Sequence, residues 1–168
     1  MPNHVVNILD LPRFIVDEPR LLILGADKCG KTSLAPTVYR LLQSEPKLVP
    51  LLLDGQNIVE KARISTALDG QYVRQYSDAT LERFKQLLSS RRALIIDNFD
   101  AAPVRRHMLG DLVEHLCSWF DKIIILADDF YEIDHVVNAK DHPILFDFRQ
   151  YHIEELNRVL RSKLIERG

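Results

Sequence analysis

Short apolar runs alternate with amphipathic stretches along the chain. Five short runs are largely apolar, as strands buried on both faces of a parallel sheet are. They cover residues 20–24, 48–53, 93–97, 122–127 and 143–148. Between and after them, apolar residues recur at helical spacing in four sets: Leu34, Val38, Leu41 and Leu42; Leu81, Phe84, Leu87 and Leu88; Leu109, Leu112, Val113, Leu116 and Phe120; Ile153, Leu156, Leu160 and Leu164. This alternation predicts a right-handed, mostly parallel α/β sheet.

The segment before the first strand has a different character. Residues 1–19 contain three prolines and two apolar clusters. We expect an N-terminal arm here, either irregular or a short strand packed beside the first core strand, and a single domain over residues 20–168.

Composition narrows the class of protein. The chain has 168 residues, of which 46% are apolar and 27% charged, as in one ordinary globular domain. A net charge of −2 demands no nucleic-acid partner and gives no clear nucleic-acid signal, although a balanced total is compatible with a local basic stripe. The absence of a signal-peptide pattern and the presence of two cysteines favour a reducing, cytoplasmic location, and no apolar run is long enough to span a bilayer.

Residues 25–32 read G-x-x-x-x-G-K-T between the first strand and the first helix. This is the pattern of a phosphate-binding loop, in which main-chain N–H groups and a helix N-terminus surround a polyphosphate. Lys31 is expected to reach the β- and γ-phosphates, and the Thr32 hydroxyl to bind Mg²⁺. The predicted nucleotide-binding residues are Gly25, Ala26, Asp27, Lys28, Cys29, Gly30, Lys31, Thr32 and Ser33.

A second motif closes the third core strand. The run Ala-Leu-Ile-Ile ends in Asp97, and carboxylates at the carboxyl ends of parallel strands face the ligand crevice. We therefore predict that Asp97 binds Mg²⁺ together with Thr32. The alternative is a strand-end aspartate that only caps a helix.

Four segments together resemble one group of nucleotide-binding proteins. GADKCGKT, ALIIDNFD, IIILADD and FDFRQYHIEELNRVLRSKLI are similar to the core of AAA+/STAND-type (NACHT-like) P-loop ATPases, over roughly residues 20–166. The nearest resemblance is to bacterial STAND modules linked to antiviral defence against phage. It implies a P-loop NTPase fold, with a mostly parallel five-stranded sheet ordered 5-1-4-3-2 and helices on both faces. It also implies that residues 20–168 are a nucleotide-binding domain, either excised from a longer chain, which we favour, or a minimal version of the family.

The resemblance assigns further roles. Asp100 would be the catalytic acid that positions or deprotonates the attacking water, beside catalytic Lys31 and Asp97; the alternative for Asp100 is a cap on the following helix. Asn98 replaces the second acid that many relatives carry, so hydrolysis would be slow. Asp128, at the tip of the fourth strand, would lie near the γ-phosphate. Three arginines have open roles near the phosphates, across an interface or in surface contacts: Arg105, Arg106 and Arg149.

Together these motifs predict an Mg-ATP-binding nucleotide-switch domain of a signalling ATPase, with hydrolysis left open and the base preference undetermined. Expected partners are a nucleoside triphosphate, further domains of a longer chain, and other copies through the ATP face. Two alternatives remain. One is a small-molecule or nucleoside kinase, and the other is a nucleotide-dependent scaffold that has lost hydrolysis.

Overall fold

A parallel β-sheet forms the centre of the molecule. The computed structural model describes residues 4–5, 11–25, 31–128 and 147–153, with the backbone alone for residues 4–5 and 31–33. Within these residues the sheet has six strands, all paired in parallel and ordered β1-β6-β2-β5-β4-β3. They are β1 (His4–Val5), β2 (Arg20–Gly25), β3 (Val49–Asp54), β4 (Arg92–Asp97), β5 (Lys122–Asp128) and β6 (Arg149–Ile153).

Helices lie on both faces of this sheet. In the described part of the chain they are α1 (Leu11–Asp17), α2 (Lys31–Gln43), α3 (Ile64–Gln75), α4 (Leu81–Lys85) and α5 (Arg106–Trp119). No helix among these residues is both long and apolar enough to cross a membrane. The inward face predicted for Leu81, Phe84, Leu87 and Leu88 is wrong at Leu88, which is 71% exposed, because α4 ends at Lys85 and Leu88 lies beyond it.

The core strand order is the predicted one. Numbered in chain order, the five strands from β2 to β6 are arranged 5-1-4-3-2. Successive side chains of each strand point to opposite faces, and this divides the core in two. Leu21 and Ile23 belong to the layer that contains α1 and α2, whereas Leu22 and Leu24 belong to the layer that contains α3, α4 and α5.

The N-terminal segment departs from the expectation in two ways. β1 pairs with β6, at the edge of the sheet, and not with the first core strand. Residues 11–17 form a helix, which buries Leu11 and Ile15. Pro12 is compatible with it, because the first turn of a helix does not need that N–H group.

The last core strand lies further along the chain than predicted. Residues 149–153 form β6, whereas residues 147–148 are not in a strand and residues 141–146 lie outside the described part. The apolar count favoured the earlier segment, but β6 is polar at most positions and buries chiefly Tyr151, whose ring lies 5.3 Å from that of Phe14. Ile153 ends this strand and does not begin the predicted closing helix, most of which lies outside the described residues.

Side chains of α3 cover the outer edge of β3. Gln75 Oε1 accepts a hydrogen bond from Leu52 N–H at 3.0 Å, and Gln71 Nε2 donates to the Leu52 carbonyl at 2.9 Å. The Tyr76 hydroxyl, just past α3, donates to the Pro50 carbonyl at 2.6 Å. These groups occupy main-chain positions at which another strand could pair with the sheet, and Pro50 itself has no N–H to offer.

Lys122 joins the start of β5 to the end of α1. Its Nζ is buried and donates to the carbonyl oxygens of Ile15, Val16 and Glu18 at 2.7, 2.9 and 2.6 Å. Burial lowers the pKa of Lys122 below its ordinary value, while the carboxylates of Asp17, Glu18 and Glu45 oppose that shift. The last carbonyls of a helix have no partner within it, so the ammonium group completes the end of α1.

Replacing Lys122 with methionine should therefore destabilise the fold. Methionine has a similar length but no donor, so three carbonyl oxygens lose their charged partner, at an expected cost of about 2 kcal/mol in the free energy of unfolding. Urea unfolding followed by circular dichroism measures this. Lys61→Met, at an exposed lysine, is the matched control. Equal unfolding midpoints for the two variants would contradict the prediction.

Candidate functional site

The carboxyl edge of the sheet gathers acidic residues beside the predicted phosphate loop. Gly25 ends β2 and pairs with Asp128, the last residue of β5. Asp97 ends β4 and pairs with Asp54, the last residue of β3. Because the strands are parallel, all four residues lie at one edge, where open α/β sheets bind their ligands.

The flanks of the loop are as predicted. The strand ends at Gly25 and α2 begins at Lys31, so a helix N-terminus follows the loop directly. Leu34, Val38 and Leu42 are buried against the sheet and hold α2 in place. Residues 26–30 lie outside the described part, as do the side chains of Lys31, Thr32 and Ser33, so the assigned contacts of these residues stay predictions.

The turn after β4 holds Asp97 in a defined place. Asp97 is half-buried, and its Oδ1 accepts a hydrogen bond from the Asn98 N–H at 3.0 Å. Asn98 has φ 52° and ψ 44°, in the left-handed region that few residues other than glycine adopt. Asparagine tolerates this conformation better than most residues, so Asn98 suits the turn that positions Asp97.

Gly55 packs directly against this turn. A Cβ atom at Gly55 would lie 2.0 Å from the Asn98 carbonyl oxygen and 3.0 Å from the Asp97 carbonyl oxygen. Both neighbours are main-chain atoms, which cannot turn away as a side chain can. The absence of a side chain at Gly55 therefore lets β3 and β4 end side by side. No motif in the sequence indicates this role of Gly55.

Asp100 connects the ends of two strands. Its Oδ1 accepts a hydrogen bond from the Asp128 N–H at 3.0 Å, while the residue as a whole is exposed. It does not cap α5, because Arg105 occupies the N-cap position of that helix and makes no side-chain cap bond. The helix-cap interpretation of Asp100 is therefore wrong, and its carboxylate lies at the same edge as Asp97.

The arginines divide between the two edges of the sheet. Arg105 and Arg106 are exposed at the start of α5, which follows the turn after Asp97. Arg149 begins β6 and does not end it, so it lies at the amino edge, opposite the loop. There its guanidinium forms an ion pair with Glu18 at 2.7 Å, as in the surface-contact alternative, and the proposed approach of Arg149 to the phosphates is wrong.

The donor set suits Mg²⁺ bound together with a phosphate. No group of three or more histidine, cysteine or acidic side chains in the described ranges is placed to hold a metal ion unaided. Mg²⁺ is usually held by one or two protein oxygen ligands, several waters and the substrate phosphates, so a full protein cage is not required. A carboxylate at Asp97 and a hydroxyl on the first turn of α2 are ligands of this type.

Comparison with known proteins gives structural matches alone. No protein-family model and no curated protein matches the sequence. Domain III of the Thermotoga maritima replication initiation protein DnaA is 17% identical with a TM-score of 0.54, covering 99% of this chain and 73% of its own. Drosophila ORC bound to AT-rich DNA and Cdc6 is 13% identical with a TM-score of 0.58, and the match covers 95% of this chain and 30% of that one. Cdc6p of Pyrobaculum aerophilum is 16% identical with a TM-score of 0.53, and the match covers 97% of this chain and 52% of that one.

The chain has the P-loop NTPase fold. These neighbours are AAA+ P-loop ATPases, and the chain spans about a third to three quarters of their lengths. At identities below 20% the likeness concerns the fold. The predicted phosphate loop follows β2, and Asp97 ends β4. Asp97 and Asp100 therefore lie at the edge to which the loop belongs.

Two contacts at this site were not predicted from the sequence. The one sequence signal for the close packing of Gly55 is an Asp-Gly pair directly after an apolar run. Such a pair usually marks a turn, and it does not indicate a contact with β4. The hydrogen bond from Asp128 N–H to Asp100 joins residues 28 apart in the chain and has no local signal.

Proposed function

We propose that this chain is an Mg-ATP-binding domain of an AAA+/STAND-type switch ATPase. The observation that supports it most is the convergence of Gly25, Asp97, Asp100 and Asp128 on the edge from which α2 starts. A polyphosphate at that place would meet the main-chain N–H groups of residues 26–32 and the ammonium group of Lys31.

Each residue of the site has a separate role in binding the metal, the phosphates or the attacking water. Thr32 and Asp97 would hold Mg²⁺, which when bound neutralises charge on the β- and γ-phosphates. Lys31 contacts the same phosphates and stabilises the charge that develops on the γ-phosphoryl oxygens. Asp100 orients the attacking water through its exposed carboxylate and takes up its proton. The hydrogen bond from Asp128 N–H holds that carboxylate at the edge of the sheet.

Slow turnover is part of the proposal. Asn98 stands where many AAA+ relatives have a second acid, and an amide can orient water but cannot accept a proton. One oxygen of Asp100 is already engaged by a main-chain N–H group. Both features favour a switch that keeps its nucleotide for long periods over a motor. A scaffold without hydrolysis is the limiting case, and a kinase would in addition need an acceptor site.

Several finer features belong to the proposal and rest on the sequence resemblance. They are a STAND-type signalling role, a link to defence against phage, a cytoplasmic location, further domains in a longer chain, and self-association through the ATP face with Arg105 or Arg106 acting across the interface. The lack of a clear nucleic-acid signal in the sequence does not argue against such a partner, because the Drosophila ORC structure with this fold contains DNA.

Two substitutions at Asp100 test the catalytic role. Asp100→Asn keeps an oxygen that can accept the hydrogen bond from Asp128 N–H, but it removes the charge and the base. It should lower phosphate release from ATP at least about a hundredfold. ATP affinity should stay within about twofold, because positioning of water contributes little to ground-state binding. Single-turnover phosphate release and calorimetric ATP titration measure the two quantities.

The control is Asp100→Ala, which removes the acceptor as well as the base. Under our proposal Asp100→Asn is as slow as Asp100→Ala. If Asp100→Asn turns over like the wild type and only Asp100→Ala is slow, Asp100 joins the two strands and is not a base. Wild-type ATP binding without phosphate release would favour the scaffold, and release that depends on an added acceptor would favour the kinase.

A further inference from the structure

A pocket lies at the amino edge of the sheet, away from the proposed nucleotide site. It has a volume of about 260 Å³ and lies where α3, α4 and the end of α5 meet the first residue of β4, Arg92. Arg92 and Asp97 are the two ends of the same strand, roughly 16 Å apart at the rise of an extended chain. The pocket is therefore separate from the proposed nucleotide site.

The guanidinium of Arg92 is held between two aromatic rings. Its Cζ lies 5.9 Å from the ring centroid of Phe84 and 5.8 Å from that of Phe120. Both rings line the pocket, and both are buried. Each contact attracts the guanidinium to a ring face, so the two together favour a position of the planar group at the pocket.

Among the described residues, no carboxylate forms an ion pair with Arg92. The Arg92 Nε is buried and has no hydrogen-bond acceptor among these residues. Burial lowers the pKa of Arg92, and only the field of the Asp121 carboxylate acts against that shift. A partly buried cation without a partner costs free energy, which a bound anion would return.

The other charges of the pocket set the charge of the ligand. Lys85 lines it and forms an ion pair with Asp69, also in the lining, at 2.8 Å. Lys85 also approaches Glu82 at 3.5 Å. The lining itself contains two cations and one carboxylate, and the carboxylates of Glu82 and Asp121 also act on Lys85 and Arg92. The surroundings are therefore not strongly electropositive, and they favour a ligand with at most one negative charge. A dianion would leave excess negative charge beside Asp69.

We propose that this pocket binds a small monoanionic carboxylate, with the carboxylate on Arg92 and an apolar or flat body against the aromatic rings. Arginine and a carboxylate match as a planar pair of donors and acceptors. The volume suits a compact acid or a single acidic side chain and is below that of most cofactor sites. The ligand is therefore a free small acid or an acidic side chain of a protein partner.

Trp119 allows a direct test, because it lines the pocket and is the one tryptophan of the chain. Benzoate should change its fluorescence in a saturable way, whereas benzamide, which has the same shape and no charge, should not. Arg92→Gln should weaken benzoate binding at least about tenfold, the loss of one charged contact. Arg91→Gln is the matched control, because Arg91 is adjacent but exposed and does not line the pocket.

Further probes distinguish the possible sources of the carboxylate, and a second variant replaces Arg92→Gln if that variant does not fold. N-acetylglutamate methylamide represents an acidic side chain, and whether it or benzoate binds more tightly indicates the source of the carboxylate. Inorganic phosphate should bind more weakly than either. Should Arg92→Gln fail to fold by circular dichroism, Arg92→Lys retains the charge without the planar group and should still weaken binding. An equal response to benzamide, tighter binding of phosphate, or wild-type affinity in the folded Arg92 variants would overturn the proposal.

Discussion

Lys31→Ala should reduce the affinity of the chain for Mg-ATP at least about a hundredfold, which corresponds to about 2.7 kcal/mol. The ammonium group is predicted to contact the β- and γ-phosphates, and each charge-assisted hydrogen bond of this kind contributes about 1.5–3 kcal/mol. The main-chain N–H groups remain in the alanine variant, so weak binding should persist. Titration calorimetry of the wild type and the variant with Mg-ATP, alongside phosphate release and self-association, measures the effect.

The matched control for this variant is Lys47→Ala. Lys47 is exposed and precedes β3, at the amino edge of the sheet and therefore opposite the loop. The two variants have the same change in net charge, so a long-range effect of charge would weaken binding in both. An affinity of Lys31→Ala within threefold of that of Lys47→Ala would remove the basis of the proposed function.

Gly55→Ala should lower the free energy of unfolding by about 3 kcal/mol, at the upper end of the cost of overpacking. The added methyl group would overlap the carbonyl of Asn98, at 2.0 Å, and relief requires the main chain of β3 or of the turn after β4 to move. Because that turn carries Asp97, Mg-dependent nucleotide binding should weaken as well. Urea unfolding reports the first effect and ATP titration with and without Mg²⁺ the second.

The same substitution at Gly70 separates this effect from a general effect of glycine replacement. Gly70 lies within α3, and a Cβ atom there would have no neighbour within 4 Å. Gly70→Ala should raise stability by up to about 1 kcal/mol, because alanine favours the helix. A Gly55→Ala variant that is as stable as the wild type would show that the strand ends are not held by this contact.

Features set by residues close together in the chain could be predicted from the sequence, and features set by contacts between distant segments could not. The first four core strands, the helix after the loop and the acid at the end of β4 were predicted from residues close together in the chain, whereas the strand order was an implication of the family resemblance. The last strand was misplaced because β6 is largely polar. Its position depends on pairing with β2 and on the packing of Tyr151 against Phe14, which are contacts between distant segments.

The chain by itself determined the alternation of strands and helices and the two motifs at the strand ends, since periodicity, turn residues and a strand-terminal carboxylate are local properties. Only the tertiary structure decided which groups meet. It placed Asp128 N–H on Asp100, Gly55 against Asn98 and Arg92 between two rings. Such contacts depend on strand register and on the packing of helices across the sheet, and residues far apart in the chain set both together.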